Sequence, residues 1–105
     1  ILPAIAALDA DVISIEDARS HGEMLEVLGV EQYPGEVGPG VWDIHSPQIP
    51  SVELVASKLR QTLQHLPTDR VWVNPDCGLK TRKYEEVIPS LKNMVEATRK
   101  IRKEL

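Results

Sequence analysis

The sequence predicts an α/β fold with a parallel sheet, and three observations carry that prediction. Short β-rich runs at Val12-Ile13-Ser14-Ile15-Glu16, Val37 to Ile44 and Val71-Trp72-Val73-Asn74 are bounded by Asp, Gly and Pro, as buried strands are. Their starts recur about every thirty residues, the length that a strand, a helix and two short connections require. Helical patterns lie between them, and such a crossover joins parallel strands, where a tight hairpin would reverse the chain.

Each element has its own signal. The apolar run Ile1 to Leu8 reads as a remnant helix; it lacks a basic lead-in, so it reads as the interior of a longer polypeptide rather than a signal peptide. Met24, Leu25, Val27 and Leu28 supply a short helix after the first strand. Val52, Val55, Ala56, Leu59, Leu63 and Leu66 line one face of a second, capped by Ser51, acidic at Glu53 in its first turn and stopped by Pro67. The last helix carries Leu91, Met94, Val95, Thr98, Ile101 and Leu105 on one stripe, with Pro89 suited to its first turn. Arg99, Lys100, Arg102 and Lys103 sit near its negative end as a solvated face. Trp42 and Trp72 lie within strands and read as packing residues, and Gly38-Pro39-Gly40 reads as backbone geometry rather than a phosphate loop.

Composition limits what this pattern can be. The 105 residues, 42% of them hydrophobic, suffice for one core, whereas a complete (β/α)8 barrel needs roughly 250. The three units are therefore either a doubly wound sheet or a slice of a barrel. The outer strands would leave backbone groups unpaired, so neighbours are expected from an upstream part of the same polypeptide or from another subunit. Twelve basic residues against sixteen acidic ones leave a net charge of −4 and no basic field for nucleic acid. No run approaches the roughly 18 to 20 apolar residues of a membrane span. A single cysteine, Cys77, suits a reducing, cytoplasmic compartment.

In parallel α/β folds ligands gather at the carboxyl ends of the strands. Here those ends read Glu16-Asp17-Ala18-Arg19-Ser20, Asp43-Ile44-His45-Ser46-Pro47 and Asn74-Pro75-Asp76-Cys77-Gly78-Leu79-Lys80-Thr81-Arg82. Glu16, His45 and Cys77 bring the three side-chain classes that bind zinc, carboxylate, imidazole and thiolate. No local Cys-x2-Cys pair is present, which suits a distributed catalytic site better than a structural one. Each residue also has a plainer reading: Glu16 as a strand-end acid paired with Arg19 or Arg82, Cys77 as a small buried hydrophobe, His45 as a satisfied loop histidine. His21 and His65 read as surface residues, His65 against a helix C-terminus.

The runs Gly38-Pro39-Gly40-Val41-Trp42-Asp43-Ile44-His45-Ser46-Pro47 and Trp72-Val73-Asn74-Pro75-Asp76-Cys77-Gly78-Leu79-Lys80-Thr81-Arg82 strongly resemble the cobalamin-independent methionine synthase family. Asn93-Met94-Val95-Glu96-Ala97 matches its closing helix, and Ala7 to Glu16 extends the likeness over nearly the whole chain. The resemblance implies that residues 1–105 are the C-terminal part of a catalytic (β/α)8 barrel, its last three strand–helix units. It implies transfer of a methyl group from 5-methyltetrahydropteroyl-polyglutamate to homocysteine, giving methionine, with zinc and without cobalamin. The family binds zinc through His, Cys, Glu and Cys; the Glu and the last Cys map onto Glu16 and Cys77, sixty-one residues apart. The His-x-Cys pair should precede residue 1. His45 falls where the family has its proton donor, and Ala18 stands where relatives commonly carry a serine. With two of four ligands, the 105 residues alone are expected to be inactive. Two alternative readings are a related zinc thiol alkyltransferase with a corrinoid-protein methyl donor, and a non-catalytic α/β module.

Overall fold

The computed structural model describes residues 2–16, 33–43, 48–76, 79 and 82–105. The chain opens with a one-and-a-half-turn helix, α1 (Leu2–Ala7), after which Asp9 takes φ 55°, a left-handed position that Asp adopts more readily than most residues. Strand β1 (Val12–Ile15) then pairs in parallel with β2 (Glu36–Pro39), Val12 opposite Glu36 and Ile15 opposite Pro39. A third parallel segment, Val71 to Asn74, lies on the other side of β2 through bridges Val37–Val71 and Gly40–Asn74. Two of the three expected strands are thus formed, β2 ending at Pro39 where the sequence leads one to expect a run to Ile44, and the third is represented by two isolated bridges. The short helix expected at Met24 to Leu28 lies outside the described residues.

The third segment is held more loosely than sequence pattern suggests. Trp72 N–H donates to Val37 O at 2.8 Å and Val41 N–H to Asn74 O at 3.0 Å, so the odd-numbered residues of β2 face this segment. Pro39 stands between those two bonds and has no N–H, which removes the donor that would make the ladder continuous.

Helix α2 (Val52–His65) begins as its sequence dictates, with Ser51 Oγ accepting from Leu54 N–H at 3.0 Å. After a single 3-10 turn (Thr68–Arg70) and the third segment, helix α3 (Tyr84–Glu104) closes the chain. α2 and α3 run parallel, as the parallel strands require. Asn93 Nδ2 donates to Pro50 O at 2.9 Å at one end, Lys100 pairs with Glu53 in the middle, and Arg60 grips Glu104 with Nε and Nη2 at 3.1 and 2.7 Å at the other.

The main core lies between the sheet and these two helices: Val41, Trp42, Val55, Ala56, Leu59, Val87, Met94, Ala97 and Ile101. Fully buried Ala56, Ala97 and Ser90 keep the helices close, and Ser90 satisfies its hydroxyl by donating to Glu86 O at 2.6 Å. A smaller cluster of Tyr33, Val37 and Leu66, with Ile5, Ile13, Ile15 and Val71 against it, seats α1 and β1 at the amino end.

Two details of the last helix differ from expectation. It starts at Tyr84, so Pro89 lies in its interior and leaves the Glu85 carbonyl without its usual helical donor. Its covered stripe is Val87, Ser90, Met94, Ala97 and Ile101, while Leu91, Val95 and Leu105 are exposed beside the free edge of the third segment. A helix with two adjacent apolar faces does not reveal from sequence which of them is covered.

Candidate functional site

Side chains alternate across a strand, and in a parallel pair opposite residues share a face. Ile13, Ile15, Val37, Val41, Val71 and Val73 turn toward the helices and make up the cores. The other face carries Ser14 on β1 with Glu16 just after it, Gly38 on β2 with Gly40 just after it, and Trp72 and Asn74 on the third segment with Asp76 beyond them. This face is therefore polar or bare at its carboxyl end, as a site at the strand tips requires.

The two glycines shape it. Neither has a positive φ, so space rather than backbone conformation explains them. A methyl group on Gly38 would overlap Asn74 Oδ1, and one on Gly40 would overlap Asp76 Oδ1 and lie 2.8 Å from Asp76 Cα. The side chains of Asn74 and Asp76 thus lie across β2 in the room its glycines leave. Asn74 Nδ2 reaches beyond Gly38 to Ser14 Oγ on β1 at 3.3 Å and also donates to Pro75 O at 2.9 Å. Asp76 is 7% exposed, and its N–H donates to Trp42 O at 2.9 Å, which ties the segment to the chain following β2. Gly38 and Gly40, read from sequence as backbone geometry, instead make room for the side chains of Asn74 and Asp76.

Of the sequence-predicted site residues, Glu16 is described: it follows Ile15 at the carboxyl end of β1, level with Gly40 and exposed on the open face. Arg82, one of the two partners considered for it, pairs with Glu86 in the first turn of α3. His45, Cys77, His21 and Arg19 lie outside the described residues. Among the described residues no three His, Cys, Asp or Glu side chains gather closely enough to hold a metal ion. His65 is half-buried in the last turn of α2. Trp42 is 2% exposed and packs as expected, but Trp72 is 55% exposed, because alternation sets it on the face away from the helices.

Sequence reasoning did not single out the row Ser14, Gly38, Asn74 or its continuation Gly40, Asp76. The available signal was the i, i+2 spacing of polar or glycine residues in all three strands, which becomes informative once the register is known.

The chain matches the model of the family described as cobalamin-independent synthase, catalytic domain, over residues 1–100. It is 57% identical over 102 residues to the 5-methyltetrahydropteroyltriglutamate–homocysteine methyltransferase of Acidithiobacillus ferrooxidans, covering 97% of this chain and 13% of that protein. The enzyme of the same name from Campylobacter jejuni subsp. doylei is 57% identical over 105 residues, all of this chain and 14% of the relative. The chain thus spans about one-seventh of the length of the curated relatives it matches. A B12-independent methionine synthase from a Shewanella species, solved in complex with selenomethionine, superposes with a TM-score of 0.87 at 25% identity, over 99% of this chain and 30% of that one. The parallel strands and parallel helices are therefore part of a (β/α)8 barrel rather than of a doubly wound sheet. The chain belongs to the cobalamin-independent synthase family, within whose catalytic domain it forms one segment.

Proposed function

We propose that residues 1–105 form the C-terminal part of a cytoplasmic, zinc-dependent methyltransferase, one that moves a methyl group from 5-methyltetrahydropteroyl-polyglutamate to homocysteine without cobalamin. The observation that carries this reading is the place of Glu16, in a chain matched to the catalytic-domain model over residues 1–100: the carboxyl tip of β1, exposed, beside a glycine. An exposed oxygen donor at a strand tip fits a cation site. Among the described residues no helix is long and apolar enough to cross a membrane.

In this reading Glu16 and Cys77 are two of the zinc ligands, and the remaining two come from an upstream part of the same polypeptide. When bound, zinc supplies deprotonation of the homocysteine thiol at neutral pH. The task of His45 is to deliver a proton to the pterin nitrogen, which is a poor leaving group until protonated; an imidazole carries its proton in the right pH range for that. The exposed edge of the third segment and the apolar flank of Leu91 and Val95 are where the rest of the barrel would close on this segment.

Metal analysis tests the proposal. The polypeptide carrying this segment with its upstream part is expected to hold one zinc per chain after dialysis, and Glu16→Ala and Cys77→Ser are expected to lose it along with methyl transfer. His45→Asn is expected to keep the zinc and lose turnover. Metal-free protein that still makes methionine would overturn the reading.

A further inference from the structure

We propose that Asn74 is a positioning residue, which sets the height of the third segment against β1 and thereby the spacing between Glu16 and the chain that leads from Asp76 toward Cys77. The proposal rests on the zinc reading above. The two strands are not neighbours, because β2 lies between them, and main-chain bonding from β2 to the third segment is interrupted at Pro39. Backbone pairing alone therefore holds the third strand less firmly than it holds β1. Asn74 supplies a direct tie. Its Nδ2 spans β2 through the gap at Gly38, donates to Ser14 Oγ at 3.3 Å and anchors its own strand through Pro75 O at 2.9 Å. Ser14 lies two residues before Glu16, and Asn74 three before Cys77. The tie thus crosses the sheet two residues, about 7 Å along the strand, before Glu16.

Three features mark this as a built contact rather than an incidental one. Glycine at position 38 is needed for room, not for φ. The Asn74 amide nitrogen donates both across the sheet and to its own strand. Its partner Ser14 is the polar member of an otherwise apolar run, Val12 to Ile15.

The test uses the polypeptide carrying this segment with its upstream part, loaded with Co(II) in place of zinc, because the visible d–d and thiolate-to-cobalt bands report ligand geometry independently of turnover. Asn74→Ala, Ser14→Ala and Gly38→Ala are each expected to shift those bands and to weaken zinc about tenfold in chelator competition, the lower end for residues that orient ligands. The Asn74→Ala, Ser14→Ala double variant is expected to lose no more than either single one, since both remove the same tie. Ser14→Thr, which keeps a hydroxyl, is expected to retain the parent spectrum. If the parent binds metal and the three variants match it in spectrum and affinity, the positioning role is wrong while the zinc reading stands. If the parent takes up neither Co(II) nor zinc, both are wrong. Ser14→Ala and Gly38→Ala keep the test decisive should Asn74→Ala fail to fold.

Discussion

Gly40→Ala is the substitution whose cost follows most directly from the structure. The added methyl would overlap Asp76 Oδ1 and stand 2.9 Å from Asp76 Cγ and 2.8 Å from its Cα, so rotating the aspartate side chain does not relieve it. The backbone at Asp76 must retreat, yet it is held by Asp76 N–H on Trp42 O at 2.9 Å and, two residues earlier, by Val41 N–H on Asn74 O at 3.0 Å. Overpacking of this kind costs about 1–3 kcal/mol, and weakening one ladder bond about 1 kcal/mol more. Loss of glycine's freedom in the unfolded chain returns about 0.4–1 kcal/mol. The net destabilisation is about 2 kcal/mol, or roughly 1 M in urea midpoint at the slopes usual for small proteins. Gly38→Ala is the control. There the overlap is with the far end of a side chain, Asn74 Oδ1, which can swing away at the loss of one hydrogen bond worth about 1 kcal/mol. The entropic return nearly cancels that loss, so Gly38→Ala is expected to stay within about 0.5 kcal/mol of the parent. Urea titration followed by the fluorescence of buried Trp42, in a Trp72→Phe background, measures both. Gly38→Ala costing as much as Gly40→Ala would refute the reasoning, because it would mean that the backbone of the third segment is no more fixed than a side-chain tip.

The remaining expectations concern the helices. Ser51→Ala removes the acceptor for Leu54 N–H and is expected to cost about 1 kcal/mol, read as a lower midpoint with unchanged slope. Leu59→Ala opens a cavity between α2, α3 and the sheet and is expected to cost about 2–5 kcal/mol by the same titration. Hydrogen bonding to Lys100 holds the Glu53 carboxyl below its ordinary range, and hydrogen bonding to Arg60 does the same for Glu104. Both depressed values mean that the α2–α3 tie is fully present above the ordinary carboxylate range and is lost as pH falls through the lowered folded-state values. Glu53→Gln with Glu104→Gln should therefore flatten the acid limb of a stability–pH profile, and added salt should weaken the parent's tie because both pairs are exposed.

Much of the fold could be read from the sequence because local periodicity and end signals agreed. Ser51, Glu53 and Pro67 bracket α2 whatever surrounds it, since capping and proline effects act within a turn. The β-rich runs separated by crossover-length segments admit only parallel pairing. Of the strand-end residues, Glu16 stands at the carboxyl end of β1, where parallel α/β topology leads one to expect it.

What sequence could not decide was sidedness and reach. Whether Trp72 or Val73 faces the helices depends on register, which a single residue of slip would invert. Which apolar flank of α3 is covered depends on where α2 lies, and that selected Val87, Met94 and Ala97 over Leu91 and Val95. Pro89 could be tolerated inside the helix because its neighbours pack on α2 and the sheet, and tertiary burial outweighs local propensity. The polar row of Ser14, Gly38 and Asn74 joins residues sixty positions apart, and no local pattern reports a contact at that separation. By itself the sequence determined the parallel direction of the strands and the bounds of α2, because those follow from short-range periodicity and chain geometry. The tertiary structure decided which side chains share a face and which glycine makes room for which neighbour, because those follow from the register of strands far apart in the chain.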